Sequence, residues 1–518
     1  MSRYDSLFKS ISKLETNHMA PNLILAQSDF PFPTIYSGQA DILSRIKPGE
    51  SFCLTSHTGF GKTPVFLSLT RDTPSIVIEP RKFLQSQTAK YFNDFILYGR
   101  SGYSCPLSSS GTAAVAPCLA KEDCDGTSYH ETCQNANSTC LNKPCKIFKM
   151  RDTYARYPCR DCKYIEAVAE AATRIRNGET IICNFGNFWN LLKNAETVVI
   201  DEADLFFREI SAPMKMKYTK PKDGTKDIKT LLQVEIKGLQ NDLKDASFSR
   251  KYTAQNLLYS AQFLNAHSEL CFLYQRKDAY YIEIDPRNVN ILSKKLFKDK
   301  RVIIVSATPG TFDLPSYSAS IHQRCGIYFA PVGNLTSRSL KENPYLMSSA
   351  AKAIAEISMY MELAYDADRV VVHCGNLGTH AAALYKVLGE DDCTIHESGK
   401  LAETIDKYLA SGKKYLLVAA AEHGGDFGWC KLQFILKFPY PNLDERMNTL
   451  KRSMGPTFSS WYTGEARTRV IQMAGRNVRG FDDFGITVCL DSKIQEDYAK
   501  NKMAYPDWFR ERVDERCY

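Results

Sequence analysis

The sequence predicts an α/β protein with two domains built on parallel sheets, and three observations carry that expectation. The chain has 518 residues, and single cores stop growing near roughly 250–300 residues. Short β-branched apolar runs recur, each followed by a polar or Gly-rich turn, with helical patterning between most of them. Four of these runs precede about residue 310 and four follow it. Buried strands that alternate with helices pack as parallel sheets.

The first four runs are Ser51–Thr55, Ser75–Glu79, Thr197–Ile200 and Arg301–Val305. The second four are Arg369–His373, Tyr415–Val418, Gln433–Phe438 and Ile486–Leu490. Two stretches break the rhythm and read as insertions into the first domain. Ser104–Cys162 is rich in Cys, Ser, Asn and Lys and poor in strands. Lys215–Asn290 opens with a polar segment, continues with helical patterning through Leu231–Leu264, and ends in a strand-like Ala279–Ile284.

Composition narrows the class. Hydrophobic residues make up 44% and charged residues 24%, as in ordinary globular proteins. The apolar runs Val302–Val305 and Leu416–Ala421 fall far short of the roughly 20 residues that span a bilayer. Met1–Ser6 lacks an apolar signal core. A soluble, unsecreted protein of the cytoplasm, nucleoid or nucleus is expected, without a membrane partner. The net charge of +8 suits a phosphate-backbone partner, although proteins that bind no nucleic acid share such an excess. Of 17 cysteines, eight fall between Cys105 and Cys162. One dense patch in a long chain reads as a metal or cluster site rather than a disulfide scaffold.

Ser51–Thr63 reads as a strand, a Gly-containing turn and a helix start. Glycines let backbone N–H groups converge on phosphate oxygens, and the helix N-terminus adds its positive end. Ser56, His57, Thr58, Gly59, Phe60, Gly61, Lys62 and Thr63 would hold the nucleotide. Lys62 would reach the β- and γ-phosphates, and the Thr63 hydroxyl would sit on Mg²⁺. Pro64 suits a first helical turn. A structural turn is the plainer reading, and Thr-Gly-X-Gly-Lys-Thr after an apolar strand argues against it.

Val198–Asp204 is an apolar strand that ends in carboxylates. Asp201 would hold Mg²⁺, directly or through water. Glu202 would orient and deprotonate the attacking water. Acids in the first turn of an ordinary helix would give the same letters, and the phosphate loop upstream makes that reading the weaker one. Gln472–Gly480 carries Arg476 and Arg479 three apart, a spacing that puts both on one helix face. Arginine suits charge on a transferring phosphoryl group; a solvated basic helix is the alternative. ATP would sit between the domains, with these arginines reaching across.

In this order the motifs resemble superfamily 2 helicases, and among them the iron–sulfur XPD/DinG-like family. Asp29–Pro33 with Gln39 is similar to the stretch before motif I, where the glutamine reads adenine. Ser56–Thr63 resembles motif I, with Ser56 where Gly or Ala is usual. Glu79–Gln87 resembles motif Ia, which touches the DNA backbone. Asp201–Asp204 resembles motif II, Asp204 standing where His is commoner. Ser306–Thr308 resembles motif III, and His373–Asn376 sits where motif IV belongs. His423–Phe427 resembles motif V, with Asp426 toward the nucleotide and His423 in place of Glu. Phe438–Asn442 resembles the proline-rich turn after it, and Gln472–Arg479 resembles motif VI. Asn184–Phe188 is similar to the segment before motif II. The resemblance spans nearly the whole chain.

The resemblance implies two RecA-like parallel-sheet motor domains with an Fe–S cluster insertion and a mainly helical arch insertion. The expected divisions are 1–103, 163–210 and 296–312 for motor domain 1, 104–162 for the cluster domain, 211–295 for the arch-like insertion and 313–518 for motor domain 2. Iron–sulfur clusters usually take four thiolates. The family pattern maps onto Cys105, Cys140, Cys145 and Cys162, with Cys159 as substitute. Cys159 and Cys162 would also make a good zinc half-site. On spacing alone cluster and zinc stand level, and placement between motifs Ia and II favours a [4Fe–4S] cluster.

The expected function is an ATP-dependent DNA helicase that moves 5′→3′ on single strands and opens forked duplexes. The expected catalytic set is Lys62, Asp201, Glu202, Gln472, Arg476 and Arg479, with ATP and Mg²⁺ as cofactors. Arg81, Lys82, Phe185 and Trp189 are candidate DNA contacts, since single-strand grooves combine basic and aromatic side chains. A monomeric motor with protein loading partners is expected, in DNA repair, replication support or a viral setting. The rivals are an ATPase that remodels DNA or RNA without unwinding, and a zinc-binding or redox-sensing scaffold without ATP turnover.

Overall fold

The computed structural model describes residues 4–16, 23–26, 30–57, 59–80, 82–104, 163–218, 227–245, 248–308, 312–318, 324–397, 400–419, 427–478 and 483–514. Strands are numbered in chain order. β1 (Leu23–Leu25) and β2 (Thr34–Tyr36) form an antiparallel ribbon. β3 (Phe52–Thr55), β4 (Ser75–Ile78), β5 (Phe95–Leu97), β6 (Thr180–Cys183) and β7 (Thr197–Asp201) follow. The short β8 (Met214–Lys215), β9 (Cys271–Arg276) and β10 (Ala279–Ile284) come next, then β11 (Arg301–Ser306) and β12 (Ser316–Ser318). The first sheet has the order β12-β3-β11-β7-β4-β6-β5, and every pairing in it is parallel. β3, β4, β6 and the first four residues of β7 are buried throughout, as strands covered by helices on both faces must be.

The second sheet uses β13 (Arg324–Gly333), β14 (Val370–His373), β15 (Cys393–Ile395), β16 (Tyr415–Val418), β17 (Leu432–Ile435) and β18 (Phe484–Asp491). Its order is β13-β18-β17-β14-β16-β15, again wholly parallel. The expected α/β class and the two parallel-sheet domains are therefore observed, and all eight expected runs form strands in these two sheets.

The chain is shared between the domains differently from the expected divisions. Leu7 and Ile11 of the helix Asp5–Thr16, with Tyr4 just before it, are buried against Met347, Ile354 and Ile357 of the second domain, not against the first. Amphipathic spacing shows that such a helix needs an apolar partner, but not which one. β12 lies past position 313 yet completes the edge of the first sheet beside β3. Its Ser-Tyr-Ser sequence carries no apolar signal.

The insertion after β7 is mainly helical, as expected, and also carries a small sheet. The helices Ile228–Asp245 and Phe248–Ala266 pack on a three-stranded antiparallel sheet, β8-β10-β9. That sheet turns its aromatic face to the second domain. Phe272 and Tyr274 join Met447, Leu450, Met454 and Phe458 in one buried cluster. Buried Glu283 pairs there with Arg446, and Arg287 donates to the Ser453 hydroxyl. The insertion is thus covalently part of domain 1 and packed on domain 2.

Eight cysteines outside the dense patch are described, and among the described residues none of them forms a disulfide. Burial pushes the thiols of Cys53 and Cys393 up to about 12, which suits inert core residues. Among the described residues, no helix is long and apolar enough to cross a membrane.

Candidate functional site

The strands that carry the motifs lie side by side. β3, β11 and β7 are neighbours in register, Ser306 opposite Thr55 and Asp201 opposite Val305. Their C-terminal ends therefore bring the phosphate loop, Ser306–Thr308 and Asp201–Asp204 together. Ligands of open α/β sheets bind at this end.

The loop after β3 is held from several sides. The Ser56 amide donates to the Ser306 carbonyl at 3.3 Å. Gly59 and Gly61 stand at φ +84° and +75°, where a side chain would be strained. A Cβ on Gly61 would also lie 2.5 Å from the Gln39 amide nitrogen. Gln39 is buried, and its Nε2 donates to the carbonyls of Phe60 (2.8 Å) and Gly61 (3.1 Å) while its Oε1 accepts from the Tyr36 amide. Here Gln39 braces the phosphate loop. The helix Lys62–Ser68 starts directly behind Gly61, and Thr63 lies in its first turn. The Lys62 ammonium donates to the carbonyls of Ser56 (3.0 Å) and His57 (2.9 Å); arriving phosphates would compete for that cation. Thr58 lies outside the described residues.

The acidic end of β7 is half-buried, with several carboxyl groups close together. Asp201 Oδ1 accepts from the Glu202 amide at 2.9 Å. Glu202 takes φ +50°, ψ +52° and caps the helix Ala203–Ile210, a strained conformation for a residue with a Cβ, of the kind found at functional sites. Burial and the Glu202 carboxylate push Asp201 up to about 7, against the pull of the Lys62 cation. Burial and then Asp201 hold Glu79, at the end of β4, well above the usual carboxylate range. Its Oε2 is buried without a hydrogen-bond partner. Buried carboxylates gathered this closely suit a cation between them, and Asp201 with the Thr63 hydroxyl offers the hard oxygen donors that Mg²⁺ takes. The Glu79 side chain faces this cluster and accepts from the Thr88 hydroxyl at 2.9 Å, although its segment resembles a DNA-contacting motif.

Domain 2 completes the site. Gln472 Nε2 donates to Asp204 Oδ2 at 2.8 Å, and the Arg476 guanidinium lies close enough to lower Asp204 against burial and Glu202, which raise it. Arg476 is not on a helical face as expected. The helix Phe458–Ala474 ends before it, and the Arg476 amide donates to Met473 O in the turn at Gly475. Arg479 lies outside the described residues, as does Asp426. Beneath the turn runs a buried polar network that the sequence reading missed. Gln433 Nε2 donates to Met473 O (3.0 Å), Asn477 Oδ1 (3.1 Å) and Thr487 Oγ1 (2.8 Å), and its Oε1 lies 3.1 Å from His373 Nε2. A polar Gln inside the apolar run of β17 was the available signal.

The remaining candidates are dispersed. Lys82 opens the helix Lys82–Ala89 at the surface, and Arg81 is outside the described residues. Phe185 packs on Phe206 with ring centroids 5.3 Å apart. Trp189 is 41% exposed and lies between Phe188 and Phe263. Cys105, Cys140, Cys145, Cys159 and Cys162 all lie outside the described residues. The flanks of that segment meet: the rings of Tyr103 and Tyr164 are 5.6 Å apart, and the Arg100 guanidinium lies 4.4 Å over Tyr164. The Tyr164 hydroxyl donates to Asn187 Oδ1, tying the stem to the Asn184–Phe188 turn.

Residues 376–512 match the family of helicase C-terminal domains. No curated protein matches the sequence. Among solved structures, an apo form of XPD is similar at 11% identity, with TM-score 0.54 over 90% of this chain and 98% of that one. The S. tokodaii Xpd4 structure is similar at 14% identity, with TM-score 0.51 over 92% and 99%. A further XPD helicase structure gives 13%, 0.51, 90% and 96%. The chain has the two-domain fold of the XPD helicases.

Proposed function

We propose that the chain is an ATP-driven helicase that moves on single-stranded DNA in the 5′→3′ sense and opens forked duplexes. The observation that carries this reading is the composite site: Gln472 of domain 2 bonded to Asp204 of domain 1, beside the Lys62 loop and the Asp201–Glu202 strand end. A site completed only when two domains meet is suited to turning nucleotide turnover into domain movement.

Lys62 leaves its loop carbonyls to bind the β- and γ-phosphates, and the amides of Gly59–Thr63 cradle them. Asp201 and the Thr63 hydroxyl would hold Mg²⁺, which would neutralise charge on the phosphate oxygens. Glu202, set by its left-handed backbone, takes the proton of the attacking water. Arg476, and Arg479 beside it in sequence, offset charge on the transferring phosphoryl group. Single-stranded DNA runs past Arg81, Lys82 and the Phe185–Trp189 turn. Cys105, Cys140, Cys145 and Cys162 would hold a [4Fe–4S] cluster on the stem made by Tyr103 and Tyr164.

Strand displacement on forked DNA and RNA substrates tests the reading. Unwinding of 5′-tailed DNA forks, abolished in Lys62→Ala, is expected. ATP turnover without unwinding on any fork would replace the helicase by a translocating or remodelling ATPase. Iron content with an absorbance band near 400 nm under anaerobic conditions tests the cluster; a colourless zinc protein would contradict it.

A further inference from the structure

The last described helix, Asp507–Arg512, belongs to domain 2 by its packing. Phe509 and Val513 are buried with Ile327, Phe329 and Tyr498, and Val513 bridges to Ile327 beside β13. Yet its Trp508, 1% exposed, faces domain 1 at the phosphate loop. The indole Nε1 donates to the Ala307 carbonyl at 3.1 Å, directly after β11. The indole ring meets the His57 imidazole edge-on, centroids 6.2 Å apart at 64°, directly after β3. Asp507, next to it, accepts from the Ser318 hydroxyl at the sheet edge. The Arg512 guanidinium lies 5.1 Å from the ring centroid.

These contacts touch two segments that lie side by side at the phosphate loop, where the Ser56 amide donates to the Ser306 carbonyl. The His57 carbonyl is one of the two that hold the Lys62 ammonium. When Lys62 turns to phosphate, that carbonyl exchanges the ammonium and the Phe60 amide (3.4 Å) for the amide alone, so the hydrogen bonding of the loop changes at His57. Ala307 lies between Ser306 and Thr308, whose hydroxyls are 3.0 Å apart, in the segment that resembles motif III. A buried indole that bonds one segment and packs on the other cannot stay in place if they shift relative to each other. Close packing converts such small shifts into movement of whole elements.

We propose that Trp508 is a positioning residue that couples nucleotide occupancy of the phosphate loop to domain 2 through the C-terminal helix. This rests on the ATP-driven reading of the site. Trp508 touches no reacting atom. It reads the conformation of His57 and Ala307 and transmits it to the core around Phe509 and Val513. Allosteric couplings of this kind typically change an affinity or rate by about fivefold or more.

The test uses the full-length protein and Trp508→Phe, which keeps a ring and deletes the N–H donor. Indole emission is followed as Mg²⁺ with a non-hydrolysable ATP analogue is added. The wild type is expected to show an emission change that saturates with nucleotide binding, and Trp508→Phe to lose most of it. Basal ATP turnover and the KM for ATP are expected within about twofold of wild type, with single-strand-stimulated kcat lower by about fivefold or more. The proposal is overturned if the emission change is absent in the wild type or persists in Trp508→Phe. It is overturned equally if stimulated kcat is unchanged, or if basal and stimulated rates fall together with the melting temperature, which would mark a packing role alone. If the wild type shows no stimulation by nucleic acid, the motor reading fails, and the emission change still decides whether Trp508 senses the nucleotide site.

Discussion

Gln472 and Asp204 are 268 residues apart, and a 2.8 Å hydrogen bond joins their side chains between the two parallel-sheet domains. Asp204 is the last residue of the acidic strand end, where XPD-like sequences more often carry His. An acceptor at this position needs a donor opposite, and the Gln472 amide supplies one. Gln472→Glu would set two carboxyl groups against each other in a buried place, where like charges are costly. ATP turnover is expected to fall by more than about tenfold, the scale of one lost charged contact. Adding Asp204→Asn restores a donor and an acceptor with their roles reversed. The double variant should recover a large part of the loss in a steady-state ATPase assay. Additive losses would show that the bond does not matter.

Gly61 tests the phosphate loop from the backbone side. Its φ of +75° and the 2.5 Å approach of Gln39 to a would-be Cβ both exclude a side chain. Gly61→Ala is expected to cost about 1–3 kcal/mol of stability. Nucleotide binding should weaken more than the lost stability alone explains, read by calorimetric titration beside a denaturant curve. Unchanged binding would mean that Gln39 and the loop readily part.

Burial lowers the His373 imidazole from its ordinary value to about 4. The unfolded chain takes up this proton near pH 6.5 and the folded chain does not, so the folded state loses stability as pH falls from 6.5 toward 4. The loss contributed by this residue should approach about 3 kcal/mol at the lower end. Denaturant midpoints measured between pH 4 and 7 should fall less steeply in His373→Gln, which keeps a partner for Gln433 but does not titrate.

Arg446 stands opposite buried Glu283, which burial raises to about 7 against the pull of that arginine. Arg446→Met strands the carboxylate and is expected to destabilise by about 3–5 kcal/mol. Glu283→Gln in the same chain should recover much of it. Thermal melts of the two single variants and the pair measure this. If the insertion hinges freely on domain 2, Arg446→Met would melt like the wild type.

Much of this architecture was legible in the sequence. β-branched runs such as Thr197–Ile200 and Tyr415–Val418 mark strands because only continuous apolar runs survive between two helical layers. The phosphate loop was legible because glycine at left-handed positions is a chemical necessity. Segments without an apolar signal were not legible. β12 is Ser-Tyr-Ser; β5 is the apolar Phe-Ile-Leu, but three residues are too short a run to stand out. The helix Asp5–Thr16 announces an apolar face but not the domain it covers. The placement of Arg476 failed because Gly475 ends the helix one residue earlier. Glu79, Gln433 and Trp508 acquire their settings from residues far away in the chain, which local patterns cannot carry.

On the proposed function, Lys62, Asp201–Glu202 and Gln472 form one ATPase site whose turnover is coupled to nucleic acid. ATP hydrolysis by the full-length protein, measured with and without single-stranded DNA and repeated for Lys62→Ala, tests it most directly. Turnover that rises severalfold with single-stranded DNA and vanishes in Lys62→Ala is the predicted result. Turnover that is indifferent to nucleic acid, or that persists in Lys62→Ala, would contradict it.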